Sequence, residues 1–427
     1  MSGASAAAVE AAVARAFHDE WGRIVATLIR VTGDWDLAEE CTQEAFAAAV
    51  VSWARDGIPR VPGAWLTTTA RRRAVDRVRR SRTGATKTQE WMMSITGDDS
   101  RDDESGISDD RLRLIFTCCH PALSLEARVS LTLRTLAGLT VAEIARAFLV
   151  PEPTMAKRIG RAKAKIRHAG IPYRVPPAHL LPERTTAVLA VVYLLFNEGY
   201  RSTAGADLMR SQLCEEAIRL ARALSELMPD EPEAAGLLSL LRLHHARKDA
   251  RVDAAGDLIP LDEQDRTRWD TAAIAEGSAI LEAALRRGEP GPYQIQAAIA
   301  ACHGSARVAA ATDWREISGL YDRLYELTPT PVVALNRAVA VGMADGPAVG
   351  LARVEELSAL GVATSFPLLE ATKADFLRRL GRRTEAAYSY ELARGAAGTD
   401  AERRYLSRRL AEVESPWRDP KGKTTSS

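Results

Sequence analysis

Apolar residues recur at helical spacing along most of the chain, which predicts an all-α protein. Val13, Phe17, Ile24, Leu28 and Val31 place one helix over residues 5 to about 31. Thr32-Gly33-Asp34 breaks it, and Asp34 or Asp36 caps the next, Leu37 to Trp53. That helix is apolar on two sides, with Leu37, Cys41, Ala45 and Ala48 on one and Phe46, Val50 and Trp53 on the other. Between them runs a strip of Asp36, Glu40, Gln43, Glu44 and Ala47. A helix packed on two sides with a free acidic strip suits docking on a basic partner; the plain alternative is a solvated face.

A loop with Gly57, Pro59, Pro62 and Gly63 leads into PGAWLTTTARRRAVDRVRR, Pro62 to Arg80. Ala74, Val75 and Val78 share one arc of this helix, and Arg72, Arg73, Arg77, Arg79 and Arg80 crowd the opposite one. Guanidinium groups are always charged and offer forked donors, so this face suits phosphates and base edges. Arg82 to about Asp109 is polar and reads as a linker. From Asp110 a second helical unit opens, in which Leu112, Ile115 and Phe116 begin a helix ending at His120-Pro121 and Ser124 caps another. Thr140 and Glu143 form a capping box for a short helix with Val141, Ile144, Ala145 and Phe148 on its buried side. After a tight turn, Pro153 starts a helix with a seam of Met155, Ile159, Ala162 and Ile166. Thr154, Lys157, Arg158, Arg161 and Lys165 cover its other side, giving the layout of a helix-turn-helix.

Beyond a proline-rich linker at Ile171 to Pro182, the chain continues as helices. TTAVLAVVYLLFNEGYRST is apolar nearly all round and reads as a core helix, and Arg251 to Leu261 as a short hairpin or ordered loop. Near the end, LEATKADFLRRLGRRTEAAYSYELA is similar to a tetratricopeptide unit, within paired helices that have small residues at their crossings. Such stacked pairs create a concave surface that takes peptides or protein surfaces.

Composition sharpens this picture locally. The 427 residues carry a net charge of only +1, yet Arg60 to Arg82 hold eight arginines against Asp76 alone. Lys157 to Arg167 hold six basic residues and no acid, and Gly97 to Asp110 seven carboxylates against Arg101. Nucleic-acid binding therefore rests on patches and not on a global field. Five cysteines without a C-x-x-C motif argue against a disulfide framework or zinc finger and for a reducing, cytoplasmic compartment. Cys118, Cys119 and His120 are neighbours on a helix, cannot all reach one ion, and read as buried small groups; no metal or cofactor is expected. The start has no signal-peptide pattern, and the longest apolar run, Ala187 to Phe196, is too short to span a bilayer. No nucleophile–base constellation suggests an enzyme.

Three motifs in order resemble the extracytoplasmic-function group of bacterial sigma factors. DWDLAEECTQEAF, Asp34 to Phe46, looks like region 2.2, which binds the beta-prime clamp of RNA polymerase. Pro62 to Arg80 is similar to regions 2.3 and 2.4, which open and read the −10 element, and Gly138 to Arg167 to region 4.2, which reads the −35 element. The layout including FTCCHPALSLEARVSLTLR, YLLFNEGY and DEQDRTRWD resembles the subgroup with a tetratricopeptide-like C-terminal extension. The resemblance implies sigma region 2 over 1–82, an acidic linker over 83–109, region 4 over 110–170, the extension over 171–415 and a tail over 416–427. It implies core polymerase on Asp36, Glu39, Glu40, Gln43 and Glu44, and −10 DNA on Arg60, Trp65, Arg71, Arg72, Arg73, Arg77, Arg79 and Arg80. It implies −35 DNA on Thr154, Lys157, Arg158, Arg161 and Lys165. Trp65 also sits where helix and loop must close, which favours core packing for it.

The implied partners are core RNA polymerase, through its beta-prime clamp and beta flap, and promoter DNA, with a protein or peptide regulator at the extension. No membrane is implied, and the location is the cytoplasm, on the nucleoid when in holoenzyme. The acidic stretch Asp98 to Asp110 would thread channels meant for nucleic acid. A free-standing helix-turn-helix regulator is the competing function, and it leaves the acidic strip and the arginine helix unexplained. Tyr193, Asn197, Glu198 and Tyr200, with Asp265, Arg266, Arg268 and Trp269, form polar and aromatic clusters expected to be structural networks.

Overall fold

The computed structural model describes residues 6–81, 110–148, 150–200, 208–253, 257–288, 290–359, 367–398 and 400–414. The acidic linker expected at 83–109 and the tail at 416–427 lie outside them. Eighteen α-helices occur among the described residues, and the only extended pairing there is an isolated antiparallel bridge between Val252 and Leu258. Two compact units divide the chain. The first draws on Met1–Gly199 and Met209–Leu220, so it runs past residue 170; the second draws on Tyr200–Leu208 and Ala221–Ser427.

In the first unit, α1 (Ala6–Thr32) buries Trp21, Ile24, Val25 and Leu28, whereas Val13, Phe17 and Val31 are only half-buried. Gly33, at φ +66°, turns the chain, and the Asp34 carboxylate caps α2 (Trp35–Asp56) by accepting from the Asp36 and Leu37 amides. On α2 the buried set is Trp35, Ala38, Glu39, Cys41, Thr42, Ala45, Phe46, Ala49 and Trp53. Val50, expected in a seam, is 46% exposed. The helix α3 (Pro62–Ser81) buries Leu66, Ala70 and Ala74 against α1 and α2.

Four helices follow: α4 (Asp110–Cys118), α5 (Leu125–Thr135), α6 (Val141–Ala147) and α7 (Glu152–His168). Ser124 caps α5, and the Thr140–Glu143 box caps α6, with the Thr140 amide donating to Glu143 Oε2 at 2.7 Å. Pro153 stands second in α7, one place later than the proline pattern suggests. The α5–α6 turn closes on the aromatic side of α1. Gly138 is at φ +74°, and a Cβ there would lie 2.7 Å from the Phe17 ring. Trp21 Nε1 donates to the Thr135 carbonyl at 3.2 Å, and the Tyr173 hydroxyl donates to the Ala26 carbonyl at 2.9 Å. The proline-rich linker is thus tied down at Tyr173.

The apolar run at 187–196 belongs to α8 (Leu181–Tyr200), preceded by a 3-10 turn at Ala178–Leu180. Together these are long and apolar enough to cross a membrane by length and composition. In the protein, Val188, Leu189, Val192, Leu195 and Phe196 of α8 are buried, as for a core helix. The next helix, α9, is Leu208–Leu227.

The second unit stacks α10 (Pro232–His245), α11 (Thr271–Leu285), α12 (Pro292–Ser305), α13 (Trp314–Leu327), α14 (Pro331–Asp345), α15 (Pro347–Ala359), α16 (Pro367–Arg379), α17 (Arg383–Gly395) and α18 (Asp400–Glu414). Five of them begin at a proline, whose fixed φ suits the first helical position. Most pack on their neighbours in sequence, as in a helical-repeat array, while α12 packs chiefly on α10. Small residues allow the close crossings: a Cβ on Gly342 or Gly350 would come within 2.5 Å of the Phe376 ring.

Candidate functional site

The acidic strip of α2 is divided between two sets of basic residues. Asp36, Glu40 and Gln43 are exposed. Glu40 pairs with Arg77, and Glu44 pairs with both Arg73, at 2.8 Å, and Arg77. Glu39, expected on the docking surface, instead turns inward and is 4% exposed. Its Oε1 meets Lys163 Nζ of α7 at 2.7 Å and its Oε2 meets Arg134 Nε of α5 at 2.8 Å. Lys163, 6% exposed, also meets Asp36 Oδ1 at 2.8 Å. Two buried ions in low dielectric are tolerated because each satisfies the other.

Neither Lys163 nor Arg134 figured among the expected site residues. The signal was present: Lys163 follows Ala162 on a stripe otherwise made of Met155, Ile159, Ala162 and Ile166, and Glu39 follows Ala38 on the buried stripe of α2. A charge on an apolar stripe calls for a buried counter-charge.

On α3 and its entry loop, Arg60, Arg72, Arg79 and Arg80 are exposed, while Arg71, Arg73 and Arg77 are half-buried. Arg72, Arg73, Arg77 and Arg80 line a cleft of about 530 Å³, with Glu44 and Asp76 on its walls. Arg80 Nε also donates to the Asp76 carbonyl at 3.2 Å. Trp65 is half-buried and stands edge-on to buried Trp53, ring centroids 5.7 Å apart at 69°. It closes the loop against α2 while keeping part of its ring in solvent.

The outer face of α7 meets the expectation of exposure. Thr154, Lys157, Arg161 and Lys165 are exposed and Arg158 is half-exposed. Among the described residues, no carboxylate pairs with Lys157, Arg158, Arg161 or Lys165. The seam opposite is buried at Met155, Ile159, Ala162 and Ile166.

Among the described residues, no group of three or more His, Cys, Asp or Glu side chains could hold a metal ion. Cys118 and Cys119 are buried, and that burial pushes both thiols up, Cys119 to about 11, which leaves them protonated and inert at neutral pH. Cys118 Sγ lies 3.2 Å from the Thr135 hydroxyl.

Residues 18–83 match Sigma-70 region 2, residues 113–166 match Sigma-70, region 4, and residues 184–285 match a family of unknown function, DUF6596. An uncharacterized protein of Rhizobium meliloti (strain 1021) is 44% identical over 388 residues, which cover 90% of this chain and 91% of that one. No solved structure matches at a significant level. Helix-turn-helix, arginine helix and matched regions together define a promoter-recognition factor of the sigma-70 class. The chain belongs to the extracytoplasmic-function sigma factors, in the group that carries a helical C-terminal extension.

Proposed function

We propose that the protein docks on core RNA polymerase through α2 and directs it to promoters read by α3 and α7. The observation that carries this is the state of α7: its apolar seam is used up inside the protein, and among the described residues no carboxylate forms an ion pair with its basic outer face, Glu126 only feeling the charge of Arg158. In this assignment Thr154, Lys157, Arg158, Arg161 and Lys165 enter the major groove at the −35 element. Arg72, Arg79 and Arg80 hold phosphates near the −10 element, with Arg71, Arg73 and Arg77 behind them. The loop from Arg60 to Trp65 captures separated bases, with the Trp65 ring offering a stacking surface.

The beta-prime clamp takes Asp36, Glu40, Gln43 and Glu44, and the beta flap takes region 4. Glu39 joins that surface only after Lys163 and Arg134 let go. Free protein is therefore the masked form, and holoenzyme assembly separates regions 2 and 4. The acidic linker at 83–109 gives them the length of chain to do so. The protein acts in the cytoplasm, on the nucleoid when in holoenzyme.

Control by the extension is supported by its reach into the first unit. In α9, Glu216 lies 3.7 Å from the His18 ring of α1, and Arg219 donates to the His18 carbonyl. From α8, Arg184 donates to the Phe116 carbonyl at 3.1 Å. These helices brace α1 and α4, so a regulator on the extension acts through that brace.

Gel shifts with and without core polymerase test the assignment. Promoter binding is expected only with core; tight binding by the isolated protein would favour a free-standing regulator. Glu40→Lys with Gln43→Lys changes two exposed positions, so stability should stay within about 1 kcal/mol while core binding is lost. Unchanged affinity for core would place the docking face elsewhere.

A further inference from the structure

The second unit contains a pocket of about 230 Å³ whose floor is built by the stretch around Arg266, inside the matched family of unknown function. Arg266 Nη1 donates to the carbonyls of His303 and Ala306, each at 2.7 Å, and Nη2 donates to the Thr312 hydroxyl at 3.1 Å. These bonds tie the end of α12 to the segment before α13. The guanidinium also lies 4.8 Å from the Trp269 ring centroid, and Arg247 lies 5.8 Å from the same ring. Arg247 Nη2 in turn reaches the Tyr200 hydroxyl at 3.4 Å. The clusters containing Tyr200, Arg266 and Trp269 are therefore one network, and part of it lines a cavity.

Three features point to a ligand. First, among the described residues neither Arg266 nor Arg247 pairs with a carboxylate, so two cations share a poorly solvated place without an anion. Second, His303 lines the pocket, is 8% exposed, and its Nδ1 is buried without a hydrogen-bond partner. Third, Thr312, 7% exposed, accepts from Arg266 and keeps its own O–H to donate.

The remaining walls are apolar, from Leu261, Val339, Met343 and the Trp314 ring, which stands edge-on to His303 at 5.2 Å. Asp262 is the one carboxylate on the lining, and Arg379 faces it at 3.4 Å. The volume is below the roughly 300–1,000 Å³ of sites for drug-sized molecules.

We propose that this pocket binds a small carboxylate with an apolar body, its oxygens on Thr312 and His303 and its body against Trp314. Arg266 supplies the field and the scaffold, with both Nη1 hydrogens committed to the His303 and Ala306 carbonyls.

Hexanoate and benzoate are suitable probes, with hexanol and benzyl alcohol as neutral counterparts, titrated into the full chain by calorimetry at pH 7. Both carboxylates should bind saturably and about tenfold tighter than the alcohols, as for a hydrogen-bonded charge against a neutral group. Thr312→Val should weaken the carboxylates about tenfold. Ala309→Leu narrows the pocket without touching a polar group and should weaken all four probes.

The His303 imidazole gives a direct readout by NMR. Burial and the charges of Arg247 and Arg266 hold it down at about 4, and a seated anion should move it up. The proposal is overturned by absence of saturable binding, by equal affinity for acid and alcohol, or by indifference to both substitutions in chains whose thermal unfolding matches the parent. A His303 titration unmoved by saturating hexanoate overturns the placement equally.

Discussion

The arginines of α3 and the basic residues of α7 look alike in sequence and meet opposite surroundings. On α3, Arg73 and Arg77 lie across from Glu40 and Glu44 of α2 and are held in ion pairs. On α7, among the described residues, no carboxylate is held in an ion pair on the outer face, and the basic residue that is paired, Lys163, points the other way, into the protein. A count of basic residues therefore says less than the position of the nearest carboxylate. Arg77 contributes to the α2–α3 contact before any DNA arrives, Lys163 holds region 4 against region 2, and Lys157 and Arg161 are free for a partner.

Substitutions that put this contrast at risk differ in size. The largest effect belongs to the buried set. Glu39→Ala leaves Lys163 and Arg134 short of a counter-charge in the interior and should cost about 3 kcal/mol in denaturant unfolding. A loss below about 1 kcal/mol would mean that water already reaches the pair. Next comes the outer face of α7. Arg161→Ala should lower affinity for −35 DNA in holoenzyme about tenfold while unfolding shifts by no more than about 0.5 kcal/mol. A large change in stability would contradict its free state. The smallest effect is expected at Arg77, whose pairs are about one-third exposed on the arginine side. Arg77→Ala should cost less than about 1 kcal/mol in the same unfolding measurement. If it costs as much as Glu39→Ala, the two helices use their charges alike and the contrast fails.

Local signals carried most of the fold. Asp34, Ser124 and the Thr140–Glu143 box start their helices as the pattern suggests, because a cap is settled within three residues. The α7 seam and its basic face are likewise local, set by spacing alone. What spacing could not supply was which helix faces which. Glu39 meets Arg134 across 95 positions of sequence, and Asp36 meets Lys163 across 127. The apolar stripes around Glu39 and Lys163 call for a buried counter-charge, but spacing does not say which residue supplies it. The same limit explains Val50, an apolar residue left exposed because none of the described helices covers it, and Tyr173, whose anchor in α1 no proline-rich pattern announces.

The burial of the Lys163–Glu39 pair has a consequence for ionic strength. At physiological salt the screening length is about 8 Å, and it acts on charges that solvent reaches. The exposed face of α7 should lose its hold on phosphates steeply as salt rises. The pair inside the protein, out of reach of counter-ions, should hardly respond. A salt titration would thus separate the two uses of charge in one helix. Promoter affinity of the holoenzyme should fall at salt concentrations at which the contact between regions 2 and 4 in the free protein persists.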